Sequence, residues 1–276
     1  MSEEKLKPGF IALGAAVVAG VLALSALFGY VAFSSGLSEL GPLFAEGDTL
    51  EGAVINSLIF LLLALSGAGL FLLLIRKRRL SLLRSLLALS LALSMWIILE
   101  IYLEFFLPDQ LAPPILVDAV SLSLSLLLGV LVLKPVSVAL ANAFLMLYGT
   151  MAGALFAALL TPLSTVLVAL TLAVYDAYSV LRGPLRKLLE TMTAGPEGDE
   201  KGAGALRGAV LQLGRLSLGM GDVLVYSMLS PVFLLSPSPS AVRWLISSSA
   251  LLAGFVLTLQ MLSRRRFMPC LLYTSD

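Results

Sequence analysis

The chain has 276 residues, of which 59% are hydrophobic and 13% are charged, and its formal net charge is +1. A soluble domain carries about a quarter charged residues, so this composition excludes a water-facing globular domain and a nucleic-acid-binding protein. There is no His and a single Cys, Cys270. These counts exclude His-based catalysis, a disulfide framework and a Cys metal cluster, so neither a metal nor a cofactor is expected.

Eight apolar runs, bounded by charges or by Pro, Gly and Ser, follow one another along the chain. Because a membrane-spanning helix needs about 20 apolar residues, each run predicts a transmembrane helix. The predicted spans are 10–33, 54–75, 85–107, 114–133, 136–160, 162–181, 216–235 and 241–263. The fold class expected is an all-α polytopic membrane protein, with residues 1–276 forming one membrane domain in contact with the lipid bilayer.

The basic residues predict the orientation of these spans. With the N-terminus inside, 17 of the 18 Lys and Arg residues fall on one side, and Arg243 alone falls on the other. The loop from Ser34 to Ala53 contains four acids and no Lys or Arg. The positive-inside rule therefore places the N-terminus and the long hydrophilic loop 183–214 in the cytoplasm, with the protein in the cell membrane.

Two aspartates within the spans are the strongest candidates for chemistry, because an ionisable group inside a membrane is costly. Asp176 lies six residues before Arg182 on the sixth span, and Asp222 lies seven residues after Arg215 on the seventh. At 1.5 Å per residue, both carboxylates lie about 9–10 Å from the cytoplasmic boundary. Two close carboxylates at one depth favour one protonated and one anionic form, as in aspartic proteases. An ion or proton relay, or two independent acids, would give the same depth.

The residues around these aspartates form two short motifs. Asp176 follows Tyr175, giving Tyr-Asp, and Asp222 ends Gly219-Met220-Gly221-Asp222. Tyr-Asp on the sixth span and GxGD on the seventh resemble the presenilin and signal-peptide-peptidase family of intramembrane aspartyl proteases. The compact chain and its N-inside orientation are most similar to archaeal presenilin homologues.

This resemblance implies a nine-helix presenilin-like fold, of which eight helices are visible. It implies an aspartic endopeptidase that hydrolyses peptide bonds in or near the transmembrane helices of protein substrates. Asp176 and Asp222 would be catalytic, without assignment of acid and base, and Tyr175, Gly219, Met220 and Gly221 would be supporting. No obligatory partner subunit is evident from the sequence.

The C-terminus departs from the family pattern. The family's ninth span opens with Pro-Ala-Leu; here Pro269 and Leu271 match, but Cys270 replaces Ala and no ninth span follows. Residues 270–276 are interpreted as a non-native tail, and the chain as a truncated copy that is expected to be a poor enzyme.

Alternative interpretations remain open at this point. The two carboxylates would also suit an ion- or proton-coupled transporter, although matching halves with broken helices are not found. A membrane scaffold without activity is a third interpretation. The apolar stretch 209–213 predicts either a strand that pairs with an unwound substrate or a helical lead-in to the seventh span. Asn56 and Asn142 are expected to form hydrogen bonds between helices.

Overall fold

The computed structural model describes residues 8–37, 49–77, 79–106, 113–134, 137–181, 208–213, 216–262 and 273–274. These ranges contain eight helices and three short strands. The helices are α1 (Pro8–Ser34), α2 (Leu50–Arg76), α3 (Leu80–Phe106), α4 (Pro114–Leu133), α5 (Val138–Leu159), α6 (Pro162–Leu181), α7 (Met220–Leu235) and α8 (Ala241–Leu262). The strands are β1 (Val210–Leu213), β2 (Leu216–Gly219) and β3 (Tyr273–Thr274).

Six of these helices, α1 to α5 and α8, are long and apolar enough to cross a membrane. The architecture is therefore consistent with a multi-pass, mainly α-helical membrane protein. α7 is shorter, with 16 residues, which corresponds to a length of about 24 Å. That length falls short of a hydrocarbon core of about 30 Å.

Hydroxyl side chains mark the start of several helices. Thr49 accepts a hydrogen bond from the Gly52 amide at the start of α2, at 3.1 Å. Ser137 accepts one from the Leu140 amide at the start of α5. Such caps satisfy backbone donors that have no partner within the helix, which is why these helices begin where they do.

α5 lies at the centre of the helix bundle and packs against both α1 and α7. Two glycines of α5 allow α7 to pack closely against it. A Cβ atom on Gly153 would lie 2.3 Å from the Ser227 Cβ, and one on Gly149 would lie 2.7 Å from a methyl carbon of Val223. Side-chain-free positions four residues apart allow two helices to approach closely, so this pair fixes the position of α7 along α5.

Asn56 forms the hydrogen bond between helices that the sequence predicts. Its amide nitrogen donates to the Ser164 hydroxyl at 3.0 Å, which joins α2 to α6. Both side chains are fully buried. The bond therefore satisfies two polar groups inside the bundle and holds α6 beside α2.

The predicted start of the seventh span is wrong, because residues 216–219 form a strand. β2 pairs antiparallel with β1, with Leu213 opposite Leu216 and Val210 opposite Gly219. Along β1 the side chains alternate, with Leu211 and Leu213 buried and Val210 and Gln212 half-buried, which is the period-two pattern of a half-buried strand. The loop predicted at 183–214 therefore includes a strand, and the fold is not purely α-helical.

Candidate functional site

The two aspartates lie on helices that pack against each other. Val168 of α6 and Met228 of α7 belong to one hydrophobic cluster, against which Leu172 of α6 and Leu224 of α7 also pack. α7 runs parallel to α5, as the Gly149 and Gly153 contacts show. The chain turns from α5 into α6 within two residues, so α6 returns in the opposite direction and is antiparallel to α7.

The antiparallel arrangement places both aspartates at the same end of the contact between α6 and α7. Asp176 lies one turn beyond Leu172, and Asp222 lies two residues before Leu224. Both side chains are half-buried, and one carboxylate oxygen of Asp222 is closed off from solvent. The carboxylates thus occupy one end of a packed helix pair, partly shielded from water.

The GxGD segment forms the junction between β2 and α7. Gly219 is the N-cap residue with an extended backbone, Met220 is the first helical residue, and Asp222 lies in the first turn. The amino end of a helix carries partial positive charge, which stabilises a carboxylate placed there. The GxGD segment therefore places Asp222 at the amino end of α7.

Gly221 has open space where a side chain would be. A Cβ atom added to Gly221 would meet nothing within 4 Å. Packing inside the bundle thus gives no reason for a glycine directly before Asp222. The open space leaves room for another chain to approach the backbone beside the carboxylate.

α8 borders the Asp222 side of α7. Tyr226 lies one turn after Asp222, on the same helix face, because residues four apart are neighbours on a helix. Its ring packs edge-on against Phe255 of α8, with 6.5 Å between ring centroids. An aromatic pair therefore forms one wall next to the second aspartate, and the sequence alone does not predict this contact.

Strand β2 leads directly into the helix that carries Asp222. The Met220 amide donates to the Ala209 carbonyl at 2.9 Å, which continues the β1–β2 ladder up to the first residue of α7. Two apolar–polar alternating runs separated by Gly214-Arg215 are a hairpin signal in the sequence. The apolar character of residues 216–219 predicts the start of a helix instead, and β2 corrects that prediction.

The free edge of β1 is closed by a side chain from α5. Asn142 accepts a hydrogen bond from the Gln212 amide at 3.0 Å and donates one to the Gln212 carbonyl oxygen. The prediction that Asn142 bonds to another helix is wrong, because its partner is the backbone of β1, the strand that was one of two alternatives for residues 209–213. Pairing with a further chain is thereby left to the outer edge of β2.

Part of the C-terminal tail lies on that outer edge. Tyr273 and Thr274 form β3, which pairs antiparallel with Ser217 and Leu216 of β2. The tail was excluded from the fold on sequence grounds, whereas two of its residues take part in the sheet. β3 covers the start of β2, and within the described ranges no strand pairs with Leu218 or Gly219 on that side.

Three other predicted site residues have different outcomes. Tyr175 lies beside Asp176 on α6 and is half-buried. Pro269 and Leu271 lie outside the described residues. The predicted Pro-Leu contribution to the site therefore stays a prediction.

The chemistry available at this end of the bundle is that of two carboxyl groups beside a strand edge. Within the described ranges, His, Cys, Asp and Glu side chains form no group of three that could hold a metal ion. A comparison with protein-family models and a comparison with curated proteins each found no match.

Proposed function

We propose that the chain is a presenilin-like intramembrane aspartyl protease, with Asp176 and Asp222 as its catalytic pair. The observation that supports this most is the position of both carboxylates at one end of the α6–α7 contact, with β2 leading into Asp222. An acid pair alone would suit many functions. The adjoining strand edge is what favours a peptide as the substrate.

The two carboxyl groups would divide two proton transfers between them. The ionised group removes a proton from water as the water oxygen attacks the scissile carbonyl carbon, and the protonated group donates its proton to the carbonyl oxygen. The resulting tetrahedral diol then collapses, the C–N bond breaks, and the leaving nitrogen takes up a proton. One water is consumed, and one carboxyl and one amino terminus are produced.

The substrate proposed is a transmembrane helix that has locally unwound. A peptide bond inside a helix is shielded by the helix itself, so cleavage requires an extended segment. The outer edge of β2 beyond the part that β3 covers offers the backbone groups of Gly219, which point away from β1, to such a segment. A substrate strand on this edge passes next to the start of α7, where Gly221 leaves room and Asp222 follows.

The membrane arrangement proposed has the N-terminus and loop 183–214 in the cytoplasm of a cell-membrane protein. This orientation rests on the distribution of Lys and Arg. It would put the hairpin and both aspartates toward the cytoplasmic side, from which water reaches them. The partners are then the bilayer and substrate proteins with transmembrane helices.

The experiment that tests this proposal uses the full chain in liposomes together with a reporter protein that has one transmembrane helix. Mass spectrometry of the products should show new termini inside or beside that helix. Slow but chain-dependent cleavage at those bonds is the expected result, because the chain is expected to be a poor enzyme. An intact reporter after prolonged incubation, in a chain shown to be folded, would contradict the proposal.

The transporter interpretation is tested in the same liposomes. Dye-reported proton flux, measured with and without a Na⁺ or K⁺ gradient, should remain at the level of empty liposomes if the chain is a protease. Flux that disappears when Asp176 or Asp222 is replaced by Asn, without proteolysis by the parent chain, would favour a relay instead.

A further inference from the structure

Asn142 occupies a position that a neighbouring β-strand would otherwise fill. In an antiparallel ladder, backbone groups of successive residues point alternately toward the partner strand and away from it. The Met220–Ala209 bond fixes this alternation, so the residues bonded to β2 are 209, 211 and 213. The amide and carbonyl of Gln212 therefore point away from β2, toward α5.

The carboxamide of Asn142 satisfies both of these groups at once. Its oxygen accepts from the Gln212 amide at 3.0 Å, and its nitrogen donates to the Gln212 carbonyl. A planar amide has one acceptor and two donors, so it reproduces the paired bonds of an adjacent strand. The side chain is half-buried, and bonds of this kind are costly to leave unmade once water is excluded.

The same helix that carries Asn142 also sets the position of α7. Gly149 lies two turns after Asn142 on α5 and contacts Val223, the residue that follows Asp222. α5 therefore holds the hairpin at one point and the aspartate helix at another. The distance between the β2 edge and Asp222 depends on both attachments.

We propose that Asn142 is a positioning residue that holds the β1–β2 hairpin, and with it the substrate-binding edge of β2, in a fixed relation to Asp222. The inference rests on the proposed protease function, since it assigns Asn142 a role in substrate binding. Asn142 itself touches neither the aspartates nor the peptide. It acts through the Gln212 backbone.

The test replaces Asn142 with residues that remove one or both of its hydrogen bonds to Gln212 but still fill its position. Asn142→Leu keeps the number of side-chain heavy atoms and removes both hydrogen bonds. Asn142→Asp keeps the acceptor and loses the donor to the Gln212 carbonyl. A matched control is Asn56→Leu, which removes a buried Asn bond between α2 and α6 that lies away from the hairpin.

Three measurements in the same lipid decide the outcome: amide hydrogen exchange of residues 208–219, KM against kcat for the reporter, and melting temperature. Asn142→Leu should raise the rate of amide exchange at Gln212. It should also raise KM about tenfold, which is the effect of losing about one to two hydrogen bonds. The value of kcat should change less than about twofold. Asn142→Asp should resemble Asn142→Leu. Asn56→Leu should lower the melting temperature but leave KM unchanged.

A merely structural role would give a different pattern. The proposal would be overturned if Asn142→Leu had the parent's amide exchange in the hairpin and the parent's KM, but a lower melting temperature like that of Asn56→Leu. The exchange measurement does not require activity, so it tests the attachment of the hairpin separately. A parent chain that binds and cleaves no reporter would refute the protease function, and with it the role in substrate binding, whatever the exchange shows.

Discussion

Gly153 is a residue at which the absence of a side chain determines how two helices meet. A Cβ atom there would lie 2.3 Å from the Ser227 Cβ and 2.9 Å from the Leu224 carbonyl oxygen. Contacts this short are not tolerated, and one of the two obstacles is backbone. α7 would therefore have to move away from α5 to admit any side chain.

We expect Gly153→Leu to destabilise the bundle by about 1–3 kcal/mol, the range typical of overpacking in a filled core. The measurement is the melting temperature in detergent, together with cleavage of the reporter. Gly254→Leu is the matched control, because a Cβ on Gly254 meets nothing within 4 Å. Equal melting temperatures for the two variants would show that the α5–α7 contact is looser than described.

Gly221→Leu should lower activity without lowering stability, in contrast to Gly153→Leu. A side chain there enters open space, so Gly221→Leu should leave the melting temperature within a few degrees of the parent. It should lower cleavage by about tenfold or more if a substrate backbone uses that space, because the added side chain blocks close approach. Unchanged cleavage in Gly221→Leu would mean that the substrate does not pass in front of the first turn of α7.

Among the secondary-structure elements, the helices were predictable, whereas the hairpin was predictable only in its first strand. Helices over Pro114–Leu133 and Pro162–Leu181 are found at the bounds that the apolar runs indicate, because a proline suits the first turn and charges end the run. Residues 209–213 predict a strand as one of two alternatives, whereas β2 is not predicted because its leucines are as apolar as those of a span. Its period of two was masked by the longer hydrophobic run that follows it.

The candidate site was also predictable only in part. Asp176 and Asp222 stand out as acids in apolar surroundings, and hydropathy alone finds them. The roles of Asn142 and of the Tyr226–Phe255 pair depend on contacts between residues distant in the chain. No local pattern in a single sequence carries that information.

The C-terminal strand β3 is expected to obstruct substrate binding. β3 pairs with Leu216 and Ser217, on the edge proposed for the substrate, so it should compete with an extended peptide. Deleting residues 270–276 is expected to lower KM several-fold with little change in kcat. Tyr273→Pro should act in the same direction, because proline cannot donate to a ladder. A KM that stays constant or rises in both variants would show that β3 does not obstruct binding.

At the scale of the whole molecule, Arg243 is the one basic residue that the orientation rule leaves outside. Its guanidinium donates to the Phe233 carbonyl at 2.8 Å and to the Leu234 carbonyl at 3.4 Å. A cation that binds the last carbonyls of a helix stabilises the negative end of its dipole. The exception therefore has a local structural cause and does not weaken the charge asymmetry.

The orientation predicts which segments a membrane-impermeant thiol reagent reaches in intact cells. In a Cys270→Ser background, Glu46→Cys should be labelled from outside and Gly195→Cys only after the membrane is opened. Equal labelling of the two positions from outside would overturn the proposed topology. It would also remove the argument that water reaches the aspartates from the cytoplasm.

The central claim is that Asp176 and Asp222 work as one catalytic unit. Residues that act together in this way give losses that do not add, since removing either group disables the whole pair. A suitable control is Glu100→Gln, because Glu100 is also an acid within an apolar helix but lies on α3. That variant should retain the cleavage rate of the parent.

The most direct measurement is kcat/KM for the reporter with Asp176→Asn, Asp222→Asn and the double variant in the same liposomes. Each single variant should lose at least about 100-fold, the usual contribution of a positioned acid or base, and the double variant should be no worse. Near-parent activity in either single variant, or losses that multiply in the double variant, would contradict the central claim.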